Sequence, residues 1–141
     1  MNQHIIPDAT FFPFLSEEKS LERAASKIRE KTYNYVKNSR LQSLVLGISG
    51  GIDSALCAAL LRPICQELQI PLIGRSITIE TNKADEIERS IGVGESFCND
   101  FQHLDLTETF LENKKLLINF DDSHLSKMRQ GNMKARMRMM V

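Results

Sequence analysis

The sequence predicts an α/β protein with a doubly wound, Rossmann-like parallel sheet and flanking helices. Three short apolar runs alternate with longer segments in which apolar residues recur every three or four positions. A glycine-rich turn follows the first apolar run and opens the next helical segment. Strands that alternate with helices pair in parallel through right-handed crossovers. Because three strands are few for a doubly wound sheet, we expect this sheet to be incomplete.

Composition excludes several classes of protein. The 141 residues are enough for one ordinary domain. The 18 basic and 18 acidic residues cancel, so net charge supports binding neither to nucleic acid nor to membranes. No run approaches the roughly 20 apolar residues of a membrane span, and the first residues lack a signal-peptide pattern. The three cysteines fit no C-x-x-C spacing and indicate reduced thiols. We therefore expect a cytoplasmic protein.

The chain divides into an arm and a domain. Residues 1–15 are interrupted by proline and rich in phenylalanine, which predicts an irregular N-terminal arm. Residues 16–141 form the predicted nucleotide-binding domain, whose first helix starts at the N-cap Ser16. The last predicted helix, 125–141, has neither a C-cap nor a breaker, so we expect the domain to be truncated at its C-terminal end.

Three strands and three crossover helices lie between the first and last helices. The strands are predicted at 43–48, 71–79 and 100–106. The first is continuously apolar, as in a strand buried on both faces. The first crossover helix begins near Asp53 or Ser54, and Pro63 predicts a kink or break around Leu61–Arg62. The others are predicted at 81–92, with Thr81 or Asn82 as cap and Gly92 near the end, and at 107–119.

The turn "GISGGIDS" after the first strand has the features of an anion cradle. Its backbone amides converge beside the positive end of a helix dipole. Glycines permit positive φ angles and close approach of an anion, and two serines add hydroxyl donors. No lysine is present, so this is not the common phosphate-binding loop. The turn, residues 47–54, therefore predicts a site for an anion such as the phosphates of a nucleotide.

Asp53 is the informative residue of the loop. A carboxylate repels phosphate unless a cation lies between them, and Mg²⁺ is commonly held by one or two carboxylates together with substrate phosphates. We therefore predict that Asp53 binds Mg²⁺. The alternative is a plain strand–helix turn in which Asp53 is only an N-cap. The position of the motif, after a strand and before a helix, favours the cradle.

The order Ser49-Gly50-Gly51-Ile52-Asp53-Ser54 resembles the S-G-G-x-D-S loop of the ATP pyrophosphatase superfamily. That superfamily includes NAD synthetases, GMP synthetases, asparagine synthetases and tRNA thiolation enzymes. The resemblance implies that ATP is cleaved between its α- and β-phosphates. It also implies that the loop holds the departing pyrophosphate while an acyl or similar oxygen takes the AMP.

A second motif, "GNMKARMRMM" at 131–140, lies in the last predicted helix. Asn132 and Arg136 are one turn apart and share a face, where they could grip a carboxylate, amide or phosphate. Arg138 points about 200° away from Arg136. A separate stripe of methionines indicates core or a helix–helix interface: Met133, Met137 and Met140.

Combined with the loop, this segment resembles the G-N-x-x-A-R-x-R-M helix of NAD synthetases, and the resemblance covers most of residues 16–141. It implies ammonia-dependent amidation: the nicotinate carboxylate of deamido-NAD attacks the α-phosphorus of ATP, and ammonia then displaces AMP to give NAD. It also implies a homodimer with the last helix in its interface. The resemblance implies that Arg136 and Asn132 bind deamido-NAD. It also implies that ATP binds to eight residues of the loop: Gly47, Ile48, Ser49, Gly50, Gly51, Ile52, Asp53 and Ser54. Such chemistry needs positioning and charge neutralisation, and no nucleophilic side chain.

Two departures from the family pattern keep alternatives open. Ser76 stands where NAD synthetases often carry an arginine, with Arg75 adjacent, and the 141 residues contain no G-T-x-x-x-x-E segment. One alternative is a non-catalytic fragment that binds nucleotide or self-associates. Another is a different ATP pyrophosphatase, such as a thiolation enzyme. His103, in the third predicted strand, is interpreted as a structural residue rather than a base.

Overall fold

The computed structural model describes residues 18–80, 82–116 and 124–141. The predicted arm 1–15 and the cap Ser16 lie outside the described residues. Within them, no helix is both long and apolar enough to cross a membrane. The elements follow in the order α1 Glu18–Asn38, β1 Leu44–Gly47, α2 Ile52–Leu68, β2 Leu72–Thr78, α3 Ala84–Phe97, β3 Asp100–Asp105, α4 Thr107–Leu116 and α5 His124–Arg138.

The three strands form one parallel sheet in the order β1-β2-β3, which confirms the predicted fold class. Gly47 of β1 pairs with Arg75 of β2, so the glycine loop leaves the sheet beside the middle of β2. At the far end of β2, Thr78 pairs with Asp105. Each strand is followed by a helix, so the carboxyl ends of all three strands lie at the same edge of the sheet.

Strand β1 differs from its prediction. Its apolar run indicated burial on both faces, but Val45 is 68% exposed and, among the described residues, β1 pairs only with β2. A continuous run of apolar residues indicates a strand that can be buried on both faces, but it does not show which elements cover those faces. The elements that the structure describes do not cover this face of β1, so the prediction of a fully buried strand is wrong here.

Helix α2 runs unbroken through Pro63, so the predicted break around Leu61–Arg62 is wrong. The proline is exposed, whereas Ala58, Ile64 and Cys65 on either side of it are buried. Burial of the apolar face on both sides of the proline offsets the roughly 3 kcal/mol that an interior proline costs. The helix ends at Gln69, which adopts a left-handed conformation with φ 54°.

Helix α3 also differs from its prediction at both ends. It begins after Lys83 rather than after Thr81 or Asn82, and it continues five residues past Gly92 to Phe97. Thr81 lies outside the described residues. The Asn82 side-chain oxygen instead accepts a hydrogen bond from the Ile79 N–H at 3.3 Å. Glycine near the end of a pattern often marks a C-cap, but here the helix continues because its next glycine is a packing contact.

That contact is made by Gly94, which is buried against β3. A Cβ at this position would lie 2.1 Å from the nearest ring atom of Phe101. On the adjacent strand, a Cβ on Gly74 would lie 2.5 Å from the Cys98 sulfur. Small residues at these positions let α3 approach the sheet closely.

Helix α5 packs on the carboxyl end of the sheet. Met137 is buried in a cluster with Ile79 and Phe110, and Met133 packs against that cluster. Lys134 adds an ion pair of 2.7 Å with Glu80 and lies 5.0 Å from the centroid of the Phe110 ring. The methionine stripe is therefore core at two positions. Its third member, Met140, is 78% exposed and lies outside this core, so for Met140 the predicted helix–helix interface stays a prediction.

The Gly94 contact predicts a steric effect that a matched substitution isolates. Gly94→Ala should lower the free energy of unfolding by about 1–3 kcal/mol, because the new methyl group overlaps Phe101. The control is Gly92→Ala in the same helix, where nothing lies within 4 Å of the added Cβ. There, alanine should raise stability by about 0.5–1 kcal/mol through helix propensity. Urea unfolding measures both, and equal effects would contradict the packing argument.

Candidate functional site

The glycine loop joins the carboxyl end of β1 to the amino end of α2. Gly50 has φ 79°, a left-handed conformation that glycine adopts without strain. A Cβ at Gly50 would lie 2.1 Å from the backbone oxygen of Glu86 in α3. Conformation and space therefore both require glycine at this position, and the loop is seated directly on the first turns of α3.

Two serines bridge the loop. The Ser49 amide donates to the Ser54 Oγ at 3.2 Å, and the two hydroxyls are also 3.2 Å apart. The Gly51 amide donates to the Ser49 Oγ at 3.3 Å, while the Ser54 hydroxyl donates to the Gly51 carbonyl at 3.0 Å. Gly51 is the N-cap of α2 and supplies no side-chain cap. The first amides of the helix therefore remain available to an anion.

Asp53 lies in the first turn of α2, where its negative charge interacts favourably with the positive end of the helix dipole. It is exposed, and among the described residues its carboxylate has no hydrogen-bond or ion-pair partner. The alternative in which Asp53 is the N-cap is wrong, because Gly51 has that position. The neighbouring Ile52 is 80% exposed. The Asp53 carboxylate is therefore available to a ligand beside the predicted anion site.

A cavity of about 380 Å³ adjoins the loop. Its volume falls in the range of small-molecule sites, and it lies at the carboxyl ends of β1 and β2, where ligands collect in this architecture. Its apolar wall includes Ile77 and Ile87, and Arg138 of α5 contributes a cation. Its other lining residues are Val45, Gly47, Ile48, Ser49, Arg75, Ser76, Asn82, Glu86, Ser90 and Val141.

A buried polar chain forms part of the cavity wall. The hydroxyls of Ser76 and Ser90 are 2.7 Å apart, and the Ser90 hydroxyl is also 2.7 Å from the Ile87 carbonyl. On the other side, the Nδ1 of His103 lies 3.1 Å from the Ser76 Oγ. This series of hydrogen bonds connects β3, β2 and α3 and provides partners for the buried hydroxyls. His103 is thus engaged in the sheet, as its interpretation as a structural residue requires.

Arg75 is held by the sheet. Its guanidinium makes two hydrogen bonds to the Asp100 carboxylate, at 3.2 and 3.0 Å, and one to the Gly74 carbonyl at 2.9 Å. The hydrogen bond from Arg75 is the main cause of a lowered pKa at Asp100. Arg75 lines the cavity, but this bidentate pair commits most of its donors to Asp100.

The predicted pair on α5 lies apart from this cavity. Asn132 and Arg136 are both exposed, and neither lines the cavity beside the glycine loop. Arg138, which the sequence placed on another face, does line it. Sequence periodicity separated the two arginines correctly, but it could not show which face of α5 turns toward the sheet. That depends on the tertiary packing of Met133 and Met137.

The donor set at the loop suits a cation that is shared with a ligand. Among the described residues, no group of three or more His, Cys, Asp or Glu side chains could hold a metal ion by itself. Asp53 is a single free carboxylate beside amides that favour phosphate. Mg²⁺ is commonly bound by one or two carboxylates plus substrate phosphates and waters, and Asp53 fits that arrangement.

Comparison with known proteins points in one direction. Residues 24–141 match the family model described as NAD synthase. The chain is 34% identical over 125 residues to an NH(3)-dependent NAD(+) synthetase of Campylobacter jejuni subsp. doylei, which spans 86% of this chain and 45% of that protein. It is 30% identical over 110 residues to the corresponding protein of Lacticaseibacillus casei, which spans 74% of this chain and 40% of that protein.

Solved structures agree on the fold. An NH3-dependent NAD synthetase from Campylobacter jejuni superposes with a TM-score of 0.69 at 24% identity, covering 84% of this chain and 48% of that one. An NMN synthetase from Francisella tularensis superposes with a TM-score of 0.65 at 21% identity, covering 84% and 47%. The chain thus spans less than half the length of these relatives.

The seating of the loop predicts a strong effect of one methyl group. Gly50→Ala should destabilise the protein by roughly 2–4 kcal/mol, because it combines an unfavourable φ with a clash against the Glu86 backbone. Gly47→Ala is the matched stability control, since nothing lies within 4 Å of its added Cβ. Thermal unfolding compares the two. A Gly50 variant as stable as the Gly47 variant would contradict the described loop conformation.

The Arg75–Asp100 pair predicts a pH-dependent contribution to stability. The pKa of Asp100 is lowered in the folded state, so its ionised form stabilises the fold above the unfolded pKa of about 3.9. That contribution is lost as the pH falls through the lower, folded pKa. Asp100→Asn should therefore be less stable than the parent protein at pH 7, and the difference should shrink below about pH 4. A difference that is constant with pH, measured by urea unfolding, would contradict this assignment.

Proposed function

This chain belongs to the NAD synthase family, and we propose that it provides the ATP-activating part of an ammonia-dependent amidation of deamido-NAD. In that reaction the nicotinate carboxylate attacks the α-phosphorus of ATP and releases pyrophosphate. Ammonia then attacks the adenylated carbonyl and releases AMP, which leaves the nicotinamide of NAD. The products are NAD, AMP and pyrophosphate. The observation that carries the proposal is the Gly47–Ser54 loop, in which the first amides of α2 and the Asp53 carboxylate have no side-chain partner within the described part of the chain.

In this proposal, the loop binds the phosphates of ATP and the adjoining cavity binds its nucleoside. The amides at the start of α2 and the hydroxyls of Ser49 and Ser54 bind the phosphates that leave as pyrophosphate. The cavity beside Ile77 and Ile87 receives the nucleoside, since it joins the loop directly and its wall is largely apolar. The α-phosphate then lies between the two, at the carboxyl edge of the sheet.

Asp53 holds Mg²⁺ together with the phosphates in this proposal. The bound ion supplies charge neutralisation at the phosphoryl oxygens. The protein's own contribution is to place the Asp53 carboxylate in the first turn of α2, beside the helix amides that would bind the phosphates. Positioning and electrostatic stabilisation suffice for this transfer, because the substrate carboxylate is itself the nucleophile.

The proposed acceptor site uses α5. Arg136 and Asn132 are exposed on one helical face, and we assign them to deamido-NAD. A homodimer whose interface includes α5 would place this face beside a second subunit, and the exposed Met139 and Met140 suit such an interface. Free thiols at all three cysteines accord with a cytoplasmic location. The matched region spans 45% of the length of the Campylobacter jejuni subsp. doylei relative.

The test is product formation by the purified protein with ATP, Mg²⁺, ammonium and deamido-NAD. NAD and AMP should appear together. Loss of a residue that only supports a metal ligand typically reduces activity by ~10–100-fold. Asp53→Asn removes a direct ligand, so it should reduce the rate of NAD formation by at least that factor. The matched control is Glu67→Gln, which removes an exposed carboxylate near the other end of α2. It should leave the rate unchanged.

Other outcomes separate the alternatives. ATP binding that requires Asp53, without AMP release, would identify a non-catalytic nucleotide-binding fragment. The mononucleotide counterpart of deamido-NAD is a second acceptor worth supplying, because one structural relative is an NMN synthetase. Turnover with that acceptor alone would identify the mononucleotide as the substrate and would leave the proposed activation by ATP unchanged. Absence of both ATP binding and AMP release would overturn the proposal.

A further inference from the structure

We infer that Arg89 of α3 is a positioning residue for the glycine loop, an inference that rests on the proposed binding of ATP there. The Nε of Arg89 donates a hydrogen bond to the Gly50 carbonyl at 3.1 Å. The two residues are 39 positions apart in the chain, so the bond is a tertiary contact. Gly50 is also the residue whose positive φ sets the direction of the loop.

The bond orients one peptide plane of the cradle. In a trans peptide the carbonyl and the following N–H point in opposite directions. Holding the Gly50 carbonyl toward Arg89 therefore turns the Gly51 N–H away from α3, toward the Ser49 hydroxyl. Glycine can also adopt the opposite peptide orientation at little cost, because it has no Cβ to forbid it. Arg89 supplies the restraint that the two glycines lack.

The guanidinium is itself held in place. Its Nη1 donates to the Asp85 carboxylate at 2.8 Å, one turn earlier on α3. This hydrogen bond is the main cause of a lowered pKa at Asp85. Asp85 thus makes a second, exposed contact with the guanidinium, while the Nε faces the loop.

The geometry makes arginine specific at this position. The donor to Gly50 is the Nε, which is the fourth atom of the side chain after the Cα. A lysine carries a CH₂ at that point and its ammonium one atom further out. Lysine therefore keeps the positive charge and loses the donor at the required position. Comparing the two residues separates a positioned hydrogen bond from general attraction of phosphate.

The experiment measures the affinity of the intact protein for ATP with Mg²⁺ by calorimetric titration. Arg89→Met, which keeps the apolar stem, should weaken binding by about 5–20-fold, as expected for one charge-assisted hydrogen bond from a half-exposed donor. Arg89→Lys should be nearly as weak. Asp85→Asn, which leaves the Nε in place, should change affinity by less than about twofold.

Amide hydrogen exchange without nucleotide supplies the second readout. In Arg89→Met, exchange should quicken in the loop around Gly50–Ile52, while Ser90–Phe97 of α3 stays unchanged. Full recovery of affinity by Arg89→Lys would mean that charge alone matters and would overturn the inference. Faster exchange throughout α3 would show a merely structural role and overturn it too. If the parent protein does not bind ATP, the proposed function fails, whereas unchanged affinity in Arg89→Met refutes this inference alone.

Discussion

The close approach of Gly50 to the carbonyl of Glu86 is the constraint on which the site depends. Any side chain at Gly50 would overlap that carbonyl, so the loop can sit on α3 only because the residue is glycine. This seating sets the point at which the chain turns from β1 into α2. It therefore determines where the first amides of α2 point and where the cavity lined by Gly47, Ile48 and Ser49 opens.

Helix α3 is consequently both a packing element and a support for the site. Its buried side carries Ser90 and Gly94, which let it lie close to the sheet. Its exposed side carries Arg89, which bonds the loop. Because the same helix contacts both the strands and the loop, tight packing on one side limits how far the loop can move on the other. The cost of burying the Ser76 and Ser90 hydroxyls is offset by their mutual hydrogen bond.

Sequence reasoning reached the fold and the loop because both depend on local patterns. The alternation of apolar runs and helical segments predicts a parallel sheet, and all three strands lie within a residue or two of their predicted positions. It failed where tertiary contacts decide. Pro63 is tolerated because α2 is packed on both sides of it. Helix α3 continues past Gly92 because Gly94 packs against Phe101. Arg89 carries no sequence signal, since its acceptor is a backbone carbonyl 39 residues away.

The hydrogen bonds inside the loop bear on how it would receive a ligand. Three of the four serine-mediated contacts are 3.2–3.3 Å long, near the upper end of useful geometry. Phosphate oxygens make shorter, charge-assisted bonds with the same donors, so exchanging one set for the other favours the anion. Asp53 opposes that exchange by its charge unless a cation accompanies the phosphate. Under the proposed function, this arrangement would therefore favour a metal-bound phosphate over a bare one, as binding of a magnesium nucleotide requires.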